Sequence, residues 1–341
     1  MDERHAELVR MITEYRVTQA IHVAAALGIA DLLADGPRTS DELADSAGAH
    51  RDALYRLLRA LASVGVFREE DSRRFALTPV GEYLRTDVPG SLHGRAAFIG
   101  RPYFWQAWGH LLHSVRTGEN AFRDLHGQSV WDYREENPYE SAIFDRAMAS
   151  TTFGDVEPLL AAYDFGRFET VVDIGGGNGA LLSALLQRYP QMQGVVFDQP
   201  AVVERAAEPL RAAGAAERCR LVGGSFFDSV PEGGDAYILK HIIHDWEDED
   251  STRILQVVRR AIPDDGVVLL IEADLGPPNE TPVSKFADLN MLVLPGGRER
   301  TLDEYGALYE SAGFRLEGAT PTSSSYLVIE AVPVIKDVPL R

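Results

Sequence analysis

The stretch YILKHIIHDWEDED carries residues suited to proton transfer, because His241 and His244 follow an apolar run. An imidazole with a pKa of about 6.5 can accept a proton at neutral pH. A phenol, whose pKa is about 10, becomes a good nucleophile only as its proton leaves, so group transfer to a phenol needs such a base. A carboxylate behind the base would fix its tautomer and stabilise the imidazolium, and Glu272 and Glu299 are candidates for that role.

The same residue types also occur in metal sites. The sequence has no tight ligand cluster such as H-E-x-x-H, so we expect no metal. The acidic run Asp248, Glu249 and Asp250 is expected to favour the N-terminus of a following helix through the helix dipole. A structural role is the alternative for His244, and its position beside a predicted ligand loop favours catalysis.

A glycine-rich turn in VVDIGGGNGALL predicts a nucleotide site. Gly175, Gly177 and Ala180 satisfy G-x-G-x-x-A, and Asp198 follows Gly177 by 21 residues, the distance expected of an acid that binds ribose. Spacing alone allows an NAD site, an S-adenosylmethionine site or a purely structural turn.

Asp173 favours S-adenosylmethionine over NAD. It lies at the end of the strand, close to the helix N-terminus where a pyrophosphate would bind. A carboxylate there would repel phosphate, whereas it suits the sulfonium and ammonium groups of S-adenosylmethionine. An NAD-dependent oxidoreductase remains the alternative.

These residues must be positioned by a sheet, because strands and helices alternate from Thr170 onward. The alternation predicts a parallel sheet covered on both faces, with ligands beyond the carboxyl ends of the strands. Ser225 and Phe226 follow the third strand, and Phe226 is expected either to cover an adenine face or to pack in the core. The stretch FRLEGATPTSSSYLVIEAV predicts an antiparallel pair, and thus one reversed strand at the end of the sheet.

The N-terminal region has the pattern of a winged helix. Thr39 and Glu42 have capping-box spacing, and a leucine stripe runs from Leu54 to Leu61. Two short apolar strands, Val66–Phe67 and Phe75–Leu77, flank a charged turn. The segment that follows is helical and rich in aromatic residues. The predicted division is therefore a winged-helix-like domain over 1–100, a helical linker over 101–165 that lines the substrate pocket, and a catalytic domain over 166–335.

Composition limits the partners of the chain. The 341 residues are 45% hydrophobic and carry a formal net charge of −19, which opposes binding to nucleic acid or to anionic membranes. The single cysteine, the lack of a signal-peptide pattern and the lack of a long apolar run predict a cytoplasmic protein. The first helix has apolar residues on more than one face, including Met11 and Ile12, which predicts burial in a homodimer.

Six stretches resemble the S-adenosylmethionine-dependent small-molecule O-methyltransferases, a family that includes plant caffeate and flavonoid enzymes and bacterial polyketide-tailoring enzymes. They are VVDIGGGNGALL, FDQP, GSFFDSVP, LKHIIHDWEDED, IEADLGPP and LPGGRERT. The resemblance covers nearly the whole chain. It implies a Rossmann-like methyltransferase sheet with a reversed C-terminal strand, an N-terminal winged-helix dimerisation domain, and methyl transfer to an aromatic hydroxyl with S-adenosylhomocysteine as product.

The resemblance also implies residue roles. His244 is implied as the catalytic base, flanked by Glu272 and Glu299. The implied cofactor contacts are Asp173, Gly175, Asp198, Phe226, Lys240 and Met148. Gly177 of the glycine turn and Ser225, at the position that meets the adenine in relatives, are predicted contacts as well. The resemblance also implies that Phe144 walls the substrate pocket. The predicted pocket further includes Phe153, Trp105, Asn290 and Met291, with Phe98, Tyr103 and Trp108 as other aromatic candidates, and core packing is the alternative for the aromatic residues and Met291.

Three positions depart from the family pattern. Ser225 replaces a usual Asp, Leu294 replaces an Asn of plant members, and His241 replaces their Trp. The identity of the acceptor substrate therefore cannot be taken from the plant members of the family. Relatives of this fold that hydroxylate or decarboxylate are one alternative, and a winged-helix transcriptional regulator, with arginines on its second helix, is another.

Overall fold

The computed structural model describes residues 2–335, which form two compact units. The first comprises the residues up to 106 together with 134–151, and the second comprises 107–133 together with the residues from 152 onward. The division predicted from the sequence, with a separate linker over 101–165, stays a prediction.

The elements are numbered in chain order. The helices are α1 (Glu3–Thr13), α2 (Tyr15–Ala26), α3 (Ile29–Leu32), α4 (Ser40–Ala47), α5 (Arg51–Ser63), α6 (His93–Ile99), α7 (Pro102–Gly109), α8 (Leu111–Thr117), α9 (Ala121–His126), α10 (Val130–Glu136), α11 (Pro138–Ala162), α12 (Ala180–Arg188), α13 (Pro200–Val203), α14 (Ala207–Ala212), α15 (Asp248–Ala261), α16 (Pro282–Val293) and α17 (Leu302–Ser311). The strands are β1 (Arg38–Thr39), β2 (Phe67–Glu70), β3 (Arg74–Leu77), β4 (Thr170–Ile174), β5 (Gln193–Asp198), β6 (Cys219–Gly223), β7 (Ala236–Lys240), β8 (Val267–Ala273), β9 (Phe314–Pro321) and β10 (Tyr326–Pro333).

The first unit has the predicted winged-helix elements. The side chains of Thr39 and Glu42 form the predicted capping box of α4, and α5 buries Leu54, Leu58 and Leu61. Its small antiparallel sheet has the order β1-β3-β2. The sequence pattern did not predict β1, since a two-residue strand has no periodicity to detect.

Helix α1 of the first unit has no buried residue. Met11 and Ile12 are 55% and 63% exposed in the single chain, although the sequence pattern predicts that they are covered. The apolar surface of α1 is therefore left open to a partner.

The second unit contains a seven-stranded sheet of order β6-β5-β4-β7-β8-β10-β9. Strands β4 to β8 are parallel to one another, and β10 is antiparallel to both of its neighbours. The predicted reversed strand is present, but it lies second from the edge and β9 is outermost. The short 322–325 connection explains this arrangement, because it makes β9 and β10 antiparallel neighbours.

Helices cover both faces of this sheet, as the alternating pattern predicts. Leu182 and Leu185 of α12 are fully buried on one face, and Ile254 and Val258 of α15 on the other. Burial of each such side chain contributes about 1.5–3 kcal/mol. The packing holds the carboxyl ends of β4, β5, β7 and β8 along one edge of the sheet.

Two local details differ from the sequence pattern. The segment after β5 forms two short helices, α13 and α14, because Pro209 cannot donate the hydrogen bond that a continuous helix requires. Strand β7 ends at Lys240 because His241 adopts a left-handed backbone conformation with a φ of 55°. Among the helices of residues 2–335, none has both the length and the apolar character to cross a membrane.

Candidate active site

The glycine turn after β4 brings two carboxylates together. Gly175 and Gly177 both have positive φ, and a Cβ on Gly175 would lie 2.2 Å from the side chain of Ile242. Asp198, at the end of β5, accepts a hydrogen bond from the Gly177 amide at 2.8 Å. Only glycine at 175 therefore lets the turn pass beneath the loop that follows β7.

Asp173 lies at the end of β4 and is 3% exposed. Burial, together with the charge of Asp198, raises the pKa of Asp173 to about 7, and Lys240 partly opposes the shift. Its buried Oδ2 has no hydrogen-bond partner among the described residues. An uncompensated carboxylate beside a glycine turn suits a cationic ligand.

Lys240 ends β7 and is held by a second buried acid. Its Nζ lies 2.9 Å from Asp155 Oδ2 and 3.2 Å from His241 Nδ1. Burial lowers the pKa of Lys240, and the charge of Asp155 opposes that shift. The sequence pattern did not single out Asp155, since it lies in α11 with no motif around it.

Glu272, at the end of β8, shapes the turn that carries His244. The short 3-10 helix Ile243–Asp245 follows β7. Oε1 of Glu272 accepts hydrogen bonds from the amides of Ile242 and Ile243 at 3.1 and 2.9 Å. The carboxylate thus satisfies amides at the start of this turn, and it is fully buried.

The structure brings the predicted base and both predicted acids together. His244 Nδ1 lies 2.9 Å from Glu299 Oε1 and 3.6 Å from Glu272 Oε2. Burial lowers the pKa of His244, but the charges of Glu272, Glu299 and Asp245 outweigh it and raise the pKa to about 10. Burial likewise raises the pKa of Glu272 to about 7. The neighbouring acids therefore favour the protonated imidazole.

The GGRERT loop fixes the position of Glu299. Gly297 lies so close to the His244 turn that a Cβ on it would be 2.2 Å from the His244 carbonyl oxygen. The Arg298 amide donates to that same oxygen at 2.9 Å. Asp288 of α16 accepts the Glu299 amide at 3.0 Å. The loop and the His244 turn are therefore joined through their backbones.

Arg300 is a structural residue of the site that the sequence pattern did not identify. Its guanidinium is fully buried and donates to the carbonyl oxygens of Ile243 and Trp246 and to the carboxylate of Asp248. Asp248 also begins α15, whose first turn is acidic as predicted. Arg300 thus fastens the His244 turn to the start of α15.

The two predicted adenine contacts follow β6. Ser225 is exposed, and its Oγ accepts a hydrogen bond from the Phe227 amide at 3.2 Å. Phe226 is half-buried and packs against the core and edge-on to Trp246. The packing role foreseen for Phe226 is therefore present, and an adenine contact by either residue stays a prediction.

The predicted substrate residues divide between the two units. In the second unit, Asn290 accepts a hydrogen bond from Trp108 at 3.1 Å, Met291 is 7% exposed and Phe153 is 56% exposed. Trp105 and Phe144 belong to the first unit, as does Met148, a predicted cofactor contact. There Trp105 packs near Tyr15, at 6.1 Å between ring centroids. A common pocket for these residues remains a prediction.

A metal ion is expected to be absent from this site. Ligand atoms of His244, Glu272 and Glu299 do lie within 4.8 Å of one another. However, Oε1 of Glu272 already accepts three backbone amides and Nδ1 of His244 is paired with Glu299. This arrangement resembles an oriented base more than a set of open metal ligands.

Comparison with known proteins identifies the chain. An O-methyltransferase domain model matches residues 108–315, and an O-methyltransferase dimerisation domain model matches residues 9–87. The phenazine O-methyltransferase PhzM of Lysobacter antibioticus is 44% identical over 96% of both chains. The mitomycin biosynthesis 6-O-methyltransferase of Streptomyces lavendulae is 42% identical over 89% of this chain and 87% of that protein.

A solved structure shows the cofactor in a similar protein. The O-methyltransferase NcsB1 from neocarzinostatin biosynthesis, in complex with S-adenosylmethionine and 2-hydroxy-5-methyl naphthoic acid, is 35% identical and has a TM-score of 0.81 over 96% of this chain and 98% of that one. The match extends over both family domains. The chain therefore belongs to the S-adenosylmethionine-dependent O-methyltransferase family, and its N-terminal unit carries that family's dimerisation domain.

Proposed function

We propose that this enzyme transfers the methyl group of S-adenosylmethionine to a hydroxyl group on a small aromatic natural product, with His244 as the general base. The observation that carries the proposal is the pairing of His244 with Glu299 and Glu272 at the carboxyl ends of β7 and β8. A relative named a phenazine O-methyltransferase, another named an O-methyltransferase of mitomycin biosynthesis and a third bound to a naphthoic acid support an aromatic natural product as acceptor.

The residues around the glycine turn suit the cofactor. The unpartnered Oδ2 of Asp173 offers an acceptor and a negative charge to a cationic group. Asp198 accepts backbone amides from Gly177 and Gln199, and each of its oxygens has a second lone pair for a ribose hydroxyl. When bound, the cofactor supplies an electrophilic methyl group on a positively charged sulfur. Gly175, Ser225, Phe226 and Lys240 complete the proposed cofactor set within the second unit.

The protein's contribution is to remove one proton and to align the reactants. In the proposed tautomer, Nδ1–H donates to Glu299 and Nε2 accepts the proton of the acceptor hydroxyl. The neutral form must first be populated, because the three acids hold the imidazole protonated. A cationic ligand near Asp173 lowers the pKa of His244 through charge repulsion, so cofactor binding would favour the active form of the base.

The test uses methyl-labelled S-adenosylmethionine with a panel of phenols and hydroxyquinones. The expected result is label on the acceptor oxygen, with one S-adenosylhomocysteine formed per product. Mass spectrometry distinguishes a methylated product from a hydroxylated or decarboxylated one. Binding of S-adenosylhomocysteine together with only hydroxylated or decarboxylated products would support the alternative reaction classes and overturn methyl transfer.

The enzyme is also proposed to be a homodimer. The dimerisation-domain match covers residues 9–87, and α1 exposes Leu8, Met11 and Ile12. Such an apolar helix surface is normally covered, and closed two-fold dimers are the commonest way to cover it. Light scattering of the full chain is expected to give twice the chain mass of 37.5 kDa. A stable monomer at micromolar concentration would contradict this proposal.

A further inference from the structure

A second histidine cluster lies outside the candidate active site, at the junction of α8 and α9. His110 immediately precedes α8, and His113 lies within its first turn. Their rings stack with centroids 4.8 Å apart. Asp124 of α9 faces both rings, with Oδ2 2.8 Å from His110 Nε2 and Oδ1 3.9 Å from His113 Nε2.

A fourth potential ligand lies beside the cluster. Oε2 of Glu119, in the loop between α8 and α9, lies 3.4 Å from His113 Nε2. That nitrogen is buried and makes no hydrogen bond of good geometry among the described residues. The metal-ligating atoms of His110, His113 and Asp124 all lie within 4.8 Å of one another. Two imidazole nitrogens and the Asp124 carboxylate thus lie together, and the Glu119 carboxylate lies beside His113.

The spacing of these atoms fits a four-coordinate zinc ion. Zinc binds nitrogen and oxygen at about 2.0–2.2 Å, which places tetrahedral donors roughly 3.3–3.6 Å apart. From His113 Nε2, an oxygen of Glu119 lies at 3.4 Å and one of Asp124 at 3.9 Å, close to that value. The other oxygen of Asp124 is hydrogen-bonded to His110 Nε2 at 2.8 Å, and this pair would have to separate slightly to admit the ion. Two carboxylates also neutralise a divalent cation, and imidazole with carboxylate suits first-row transition metals.

We propose that His110, His113, Glu119 and Asp124 bind a divalent transition-metal ion that braces α8 against α9. These helices have seven and six residues, and helices so short depend on external contacts for their stability. Both helices pack against α16. Asn120, between them, donates hydrogen bonds to the carbonyl oxygens of Leu292 and Leu294 at the end of α16.

Metal binding at this cluster would also restrict motion of the segment that leads to Glu299. The end of α16 continues directly into the GGRERT loop. A metal that cross-links α8 and α9 would stabilise the Asn120 contacts and would thereby limit motion at the start of that loop. The role is structural, and it does not depend on the proposed methyl transfer.

The test titrates the chelator-treated full chain with Zn²⁺ by calorimetry, with metal content measured after dialysis. We expect one Zn²⁺ per chain at this cluster with a Kd of micromolar or tighter. His113→Ala and Asp124→Asn are expected to weaken that binding at least tenfold. Glu119→Gln changes a side chain that is 72% exposed, so it will fold, and it should weaken binding by a smaller factor. His5→Ala serves as the matched control, since it removes an exposed imidazole elsewhere.

A second control separates this cluster from the one in the active site. His244→Ala removes an imidazole from the other group of possible ligands and should keep the α8–α9 site intact. Hydrogen exchange should show slower exchange of the amides of residues 111–126 when Zn²⁺ is present. A wild-type Kd above about 100 µM would overturn the proposal. So would unchanged Zn²⁺ binding in His113→Ala and Asp124→Asn, or binding that is lost only in His244→Ala.

Discussion

Glu299 accepts a hydrogen bond from Nδ1 of His244 at 2.9 Å, across a separation of 55 residues. With the proton held on Nδ1, Nε2 is left as the nitrogen that can accept another. Glu272 lies behind the same ring and also holds the backbone of the His244 turn. The two acids therefore have different roles: Glu299 orients the imidazole, whereas Glu272 mainly holds the backbone of the turn.

Replacing His244 by alanine tests the proposed base. The expected result is a fall in turnover of roughly 10²–10⁴, which is typical for loss of a general base. Affinity for S-adenosylhomocysteine should stay near that of the wild type, because Asp173 and Asp198 lie on other strands. Single-turnover kinetics and calorimetry measure the two effects, with His5→Ala as the control. Methylation at the wild-type rate between pH 6 and 9 would show that His244 is not the base.

Glu299→Gln is expected to cost less turnover than His244→Ala. It removes one of the negative charges that raise the pKa of His244, so the pKa should fall from about 10. The base must be neutral to act, and activity that rises with pH through this pKa should therefore begin to rise at lower pH in the variant. A pH–rate profile measures the shift. An unchanged profile would mean that Glu299 does not influence the titrating group.

Asp173→Asn should stabilise the protein while weakening the cofactor site. The pKa of Asp173 is raised from an ordinary 3.8 to about 7, so the buried charge destabilises the folded state. This cost is absent well below pH 3.8, grows as pH rises and is complete above about pH 7. At about 1.36 kcal/mol per pKa unit, removing this buried charge raises the free energy of unfolding by at most about 4 kcal/mol.

Chemical denaturation of the ligand-free protein at pH 5 and pH 8 tests the change at Asp173. The gain in the free energy of unfolding should be larger at pH 8, and S-adenosylhomocysteine should bind more weakly. Asp198→Asn is the matched control, because Asp198 accepts two backbone amides and its neutralisation weakens those bonds. A gain that is equal at both pH values would refute a raised pKa at Asp173.

Ser225→Asp is expected to tighten binding of S-adenosylhomocysteine. An aspartate would accept the adenine amino group through a charge, a bond worth about 1.5–3 kcal/mol, whereas the serine hydroxyl is neutral. The exposure of Ser225 leaves room for the larger side chain, although Asp228 lies nearby in sequence. Calorimetry of wild type, Ser225→Asp and Ser225→Ala at one salt concentration measures the effect. If all three bind alike, Ser225 does not touch the adenine.

Removal of metal should not abolish methyl transfer, since the proposed mechanism needs only a base and the cofactor. A partial loss that Zn²⁺ restores would reflect the cluster between α8 and α9. Treatment with EDTA followed by dialysis, and assay with and without added Zn²⁺ or Mg²⁺, tests this expectation. Loss of activity that Mg²⁺ restores would assign a metal to the group formed by His244, Glu272 and Glu299. It would contradict the proposal that His244 is a general base oriented by the two acids.

The sequence predicted those parts of the site that lie at positions set by a local pattern, such as the end of a strand or a capping box. Strand ends after apolar runs located Asp173, Asp198 and Glu272, and capping-box spacing located the start of α4. Arg300 and Asp155 were missed because each acts through contacts with distant residues, which leave no periodic trace. The left-handed conformation of His241 was also missed, since a non-glycine residue gives no local indication of positive φ.

The position of β10 in the sheet has a consequence for folding during synthesis. Strand β10 follows all the other strands in the chain, yet it separates β8 from β9. Strand β9 pairs with β10 alone, so it cannot join the sheet until residues 326–333 have left the ribosome. Until then β8, which carries Glu272, has an open edge that another chain can pair with. Pairing of β10 with β8 therefore closes this edge only late in synthesis.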